Sequence, residues 1–158
     1  MSGSVEAFRD DVIVMTQACD LENRKVRDVV LCPCVPLGEY RQTWEEWMRE
    51  RGQAPSEKAW KRTCEDIAAG YVWNLAFLNG FVHPEAGTDI RVVDFHEVHT
   101  APLTALESLL GQRQKLRPRL LPPYREHLSQ AFARFFMRVG LPQPITFAWD
   151  QPAAKPPE

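Results

Sequence analysis

Four side chains in this sequence could together bind a zinc ion: Cys32, Cys34, His96 and His99. A structural zinc ion takes four thiolate or imidazole ligands in a tetrahedron, and Cys-x-Cys with His-x-x-His supplies that number. The thiols stand closer together than in the common zinc patterns, which separate them by two or more residues. On a strand, Cys32 and Cys34 share one face. His96 and His99 share one only if the chain turns helical there. In the competing reading the thiols are small buried hydrophobes, the imidazoles lie at the surface, and no cofactor is bound.

Two other groups have the makings of a catalytic centre. Cys19 and Asp20 follow a predicted strand, where catalytic side chains often lie. A nucleophilic cysteine needs a base or a positive field to become thiolate, and no histidine is near in sequence. Otherwise Cys19 packs inward and Asp20 caps a turn through backbone N–H groups. Asp94, Glu97 and His99, with His96 between them, offer acid/base chemistry at the end of another strand. Plain solvated charges are the alternative there.

A third feature is electrostatic. Arg113, Lys115, Arg117, Arg119 and Arg125 are interleaved with Tyr124, and arginine for phosphate with an aromatic ring for a base is a nucleic-acid recipe. Residues 1–112 hold 11 Lys+Arg against 18 Asp+Glu, a balance of −7; residues 113–158 hold 8 against 3, a balance of +5. The alternative is a linker whose Leu116, Leu120 and Leu121 pin the last helix while its arginines pair with the acidic body. The phosphate-binding loops G-x-x-x-x-G-K-[ST] and G-x-G-x-x-G are absent, which argues against ATP hydrolysis.

These residues need a scaffold, and 158 of them, 44% hydrophobic and 25% charged, suit one globular domain. We read residues 1–149 as that domain and 150–158, rich in proline, as a disordered tail. No apolar run approaches the ~18 residues of a membrane helix, so no membrane partner is expected. The start lacks the pattern of a secretory signal, which implies a cytoplasmic protein with four reduced thiols.

The β-branched runs at 12–16 and 26–35 predict two strands of a hairpin, with Pro33 and Pro36 ending the second or placing it at an edge. Residues 17–25 read as its turn. Helices are expected over 39–51, with Trp44, Trp47 and Met48 on one stripe, and from the Ser56 N-cap to Gly70. Residues 71–78 and 90–95 read as strands, and 102–110 as a short helix ended by Gly111. Tyr124, Leu128, Ala131, Phe132, Phe135, Phe136 and Val139 recur at steps of three and four. They predict a long amphipathic helix from Pro123 to Gly140. Residues 145–149 would add a last strand. This mixed order predicts an α+β fold rather than a doubly wound sheet.

Residues 12–37, VIVMTQACDLENRKVRDVVLCPCVPL, resemble the paired strands of the MazF/PemK-like toxins. The resemblance implies an SH3-like barrel, here small and partly formed, with helices packed against an antiparallel sheet. The family's arginine falls on Asp10 or Asp11, and its Thr or Ser on Val35. An aspartate would repel the phosphate that an arginine clamps, so RNA cleavage in that manner is not expected. TQACDLENRK (16–25), VVDFHEVHT (92–100) and RLLPPYREHLSQAFARFFMRVGLP (119–142) resemble a family of bacterial proteins with no assigned reaction. That implies a bacterial origin and a compact fold.

The expected function is a non-catalytic module that binds another protein, in a toxin–antitoxin or phage-defence setting. The alternatives are an RNA-binding or RNA-cleaving protein with a rearranged site, and a small zinc-stabilised domain.

Overall fold

Nine residues, Asp28–Pro36, form β2, the central strand of an open, five-stranded antiparallel sheet. The computed structural model describes residues 11–113 and 117–137. β1 (Val12–Val14) pairs with one side of β2, as the predicted hairpin requires. β4 (Arg91–Asp94) and β5 (His99–Pro102) pair with the other side in succession, and β3 (Leu75–Leu78) adds outside β4. The fold is α+β, and the sheet does not close into a barrel.

The prolines do not put β2 at an edge. Even-numbered residues of β2 face β1: Cys34 donates its N–H to the Asp11 carbonyl, and the Val30 carbonyl accepts from Met15. Odd-numbered residues face β4 and β5, as the Arg27 carbonyl accepting from Leu103 shows. By that alternation the Pro33 nitrogen faces the gap between β4 and β5. There Cys34 lies opposite Val93 and Leu31 opposite His99, so three steps along β2 span six along its partner. The ladder slips at 95–98, and a strand residue without an N–H costs nothing where no acceptor waits.

Both faces of the sheet are covered. α2 (Leu37–Glu50) and α3 (Glu57–Ala68) lie over one face, around Ile67, Leu75 and Val92. α5 (Tyr124–Phe136) covers the other, where Leu128 meets Met15, Cys32, Cys34, Val93 and Phe95. Burial on both sides is why β2 reads as a nearly continuous apolar run rather than an alternation. Phe95 is 0% exposed and meets Phe132 edge-on at 5.5 Å.

Several boundaries move for local reasons. Residues 17–25 hold a short helix, α1 (Ala18–Glu22), closed by Asn23 Nδ2 donating to the Cys19 carbonyl at 2.7 Å. Ser56 caps α3 as expected, its Oγ accepting the Ala59 N–H at 3.2 Å. Gly70, at φ +76°, ends that helix: its N–H bonds to the Ile67 carbonyl, and the Tyr71 N–H bonds to that of Asp66. The chain is still turning at Tyr71, so the strand predicted over 71–78 begins only at Leu75.

Trp47 leaves the buried stripe of α2. It stands about 100° around the helix from Met48, half-exposed, with the Arg51 guanidinium 3.8 Å from its ring. β5 was not expected; its polar HTAP has no alternation, and pairing with β2 makes it a strand. α4 (Leu103–Gln112) runs one residue past Gly111. The predicted helix end at Val139 and Gly140, the strand at 145–149 and the tail at 150–158 lie outside the described residues. Among the described residues no helix is long and apolar enough to cross a membrane.

Candidate functional site

β4 ends at Asp94, and Phe95 then points into the core, which turns His96 outward. Asp94 Oδ1 accepts the His96 backbone N–H at 2.9 Å and Asn74 Nδ2 at 3.3 Å. His96 Nδ1 lies 3.3 Å from the same oxygen. The imidazole stands edge-on to Phe135, with ring centroids 5.0 Å apart. An aspartate that orients a histidine is half of a general-base apparatus. Among the described residues no hydrogen bond or ion pair joins Cys19 or Asp20 to Asp94 or His96. Glu97 and His99 are exposed on the bend and on β5.

Cys19 is exposed on α1, where it does not pack inward. Its Sγ lies 3.6 Å from Gln17 Oε1 and 3.8 Å from Asp20 Oδ1, both acceptor oxygens. Asp20 in turn lies 3.7 Å from Lys25 Nζ. Cys32 and Cys34 do share a face, and that face lies under α5. Burial pushes the Cys32 thiol up to about 11, with the Asp94 charge adding to the shift. It also raises Cys34, against the pull of Arg91. Among the described residues no three of His, Cys, Asp and Glu come together to hold a metal ion. Cys32, Cys34, His96 and His99 therefore form no such centre.

The Asp94–His96 pair sits instead at a corner where three segments meet. Asn74 ties the 70–74 loop to β4, through its side chain to Asp94 and its carbonyl to the Phe95 N–H at 2.8 Å. Phe135 brings in the end of α5, and Arg134 passes beside Gly70, 3.8 Å from where a Cβ would stand. Around this corner Tyr71 is 73% exposed and Met137 78%, with Trp73 and Phe136 about half-exposed. No family model, curated protein or solved structure matches this chain. The corner carries aromatic, methionine and arginine side chains, the types enriched where proteins bind one another.

The basic segment is also on the surface. Arg113, Arg117 and Arg119 are exposed and make no ion pair among the described residues. Lys115 and Leu116 lie outside the described residues. Leu120 packs against the core under α5 as the linker reading expects, whereas Leu121 points outward. Tyr124 is 57% exposed. Arg125 Nη2 pairs with Glu126 Oε1 at 2.7 Å and holds that carboxyl below its usual range.

Sequence reading missed Arg91. Its Nη1 lies 2.6 Å from Asp11 Oδ2 and 3.2 Å from the Cys34 carbonyl oxygen, and its Nε donates to Thr88 Oγ1 at 2.8 Å. Nothing in the spacing of Asp11 and Arg91, 80 positions apart, signals that pairing. Two surface depressions, one beside Leu37 and Ile90 and one beside Phe81 and Thr88, open broadly to solvent. Neither includes a candidate catalytic residue.

Proposed function

We propose that this protein is a non-catalytic module of a bacterial cytoplasmic system that docks another protein at the corner of Tyr71, Trp73, His96, Phe136 and Met137. The observation that supports the reading is the convergence of the 70–74 loop, the end of β4 and the end of α5. Their exposed aromatic and methionine side chains stand on segments that Asn74 ties together through its bonds to Asp94 and Phe95. The stiff aromatic side chains bury much area at little cost in conformational entropy, and the flexible methionine adapts to what they meet. The Asp94–His96 pair serves as a polar rim whose hydrogen bonds orient the partner.

The test pairs binding with turnover. Tyr71→Ser with Met137→Ser should leave the melting temperature of the protein unchanged, because both side chains face water. The double variant should lose a stoichiometric protein partner that the parent retains from a bacterial lysate. Retention of the partner by the variant would count against the corner, and hydrolytic turnover abolished by His96→Gln would overturn the non-catalytic reading.

A further inference from the structure

Beyond protein docking, we propose that the exposed segment from Arg117 to Arg125 binds the backbone of single-stranded nucleic acid, with Tyr124 stacking on a base. Across residues 113–137 there are six Lys and Arg against one acidic residue, Glu126. The positive potential is therefore local, in a chain whose net charge is −2.

The segment is anchored rather than loose. Leu120 packs against the core cluster that includes Leu128 of α5, while its neighbours Arg119 and Leu121 are exposed. Arg117 and Arg119, two residues apart, are both exposed, and an extended backbone would set them ~6.6 Å apart. That matches the step between neighbouring phosphates of a stretched single strand. Neither guanidinium has to give up a carboxylate among the described residues to take a phosphate.

The Leu121 carbonyl accepts the Arg125 N–H at 3.2 Å, so a single helical turn separates Tyr124 and Arg125 from the end of that stretch. A phenol ring beside a cationic track is the combination that holds single strands with little sequence preference. Glu126 is the opposing group: it occupies Arg125 and weakens that arginine's part.

Fluorescence anisotropy with a labelled oligouridine of about twelve nucleotides tests this. Binding by the full chain should weaken with salt, at a log–log slope of roughly −2 for three neutralised phosphates. Arg117→Glu with Arg119→Glu should remove most of that slope and lower affinity at least about tenfold. Tyr124→Leu should lower it roughly 5- to 100-fold, and Glu126→Gln should raise it by freeing Arg125. Circular dichroism confirms that each variant is folded, and Arg117→Gln with Arg119→Gln replaces the reversal if that one is not.

Equal binding of oligothymidine assigns single strands in general, and weaker binding assigns RNA; both uphold the proposal. It is overturned if the parent shows no salt-dependent binding at ~50 mM salt, or if charge reversal leaves affinity unchanged. It is also overturned if labelled polyglutamate binds as tightly and Tyr124→Leu has no effect, which would assign an acidic protein segment instead.

Discussion

Arg91 Nη1 lies 2.6 Å from Asp11 Oδ2, so a side chain from β4 reaches across β2 to the residue that precedes β1. The same guanidinium bonds the Cys34 carbonyl and Thr88. It is only 22% exposed, whereas Asp11 is 68% exposed. Removing the arginine strands half-buried acceptors on Cys34 and Thr88; removing the aspartate leaves water to replace it. Arg91→Ala should therefore cost about 2 kcal/mol, and Asp11→Asn at most about 1 kcal/mol. Equal losses in urea titrations would mean that the ion pair, not the acceptor network, supplies the stability.

The two thiols of β2 should be inert in the folded protein. At neutral pH a maleimide or iodoacetamide should label exposed Cys19 first, and Cys32 and Cys34 only after unfolding. Mass spectrometry of the partly labelled protein gives the order. Early labelling of Cys32 would mean that α5 opens readily from the sheet.

Burial of Cys32 also sets a pH dependence. The folded thiol titrates near 11 against an ordinary value of 9.0, so the folded state keeps a proton that the unfolded chain releases. That contribution is fully present below pH 9 and is lost as pH rises through the folded value. It amounts to about 2 to 3 kcal/mol across the window. The difference in urea stability between the parent and Cys32→Ala should shrink over that range; a constant difference would contradict the assignment.

Phe95 is the hub between the sheet and α5, fully buried and in ring contact with Phe132 and Phe135. Phe95→Ala should cost about 3 to 5 kcal/mol and loosen α5 from the sheet. Amide exchange should then quicken in α5 before α2 and α3, which pack on the other face. Uniform quickening through all helices would show that both faces fold as one unit.

Ser56 offers a smaller and more local test. Its Oγ accepts the Ala59 N–H, one of the N-terminal donors that α3 cannot satisfy itself. Ser56→Ala should cost about 1 kcal/mol, and Ser56→Gly only a few tenths. Thermal melts of the two variants should rank in that order.

Much of the scaffold was legible locally. Ser56 and Gly70 bound α3 because capping chemistry is a matter of adjacent residues, and the 3.6-residue period exposes the inward face of α5. The β-branched run of β2 marks a strand, and its Cys32 and Cys34 share a face by simple alternation, whereas its central place in the sheet does not show in the sequence. What could not be read are relations between distant positions. The four zinc-type side chains lie in separate surroundings because α5 covers the thiols while the 95–98 bend turns the imidazoles outward. Pro33 is tolerated in a central strand only because the partner ladder slips opposite it. β5, the Arg91–Asp11 pair and the corner joining Asn74, His96 and Arg134 exist only once the sheet has assembled. Caps and periods arise from forces within a turn or two of chain, whereas pairing across the sheet depends on which segments the folded core brings together.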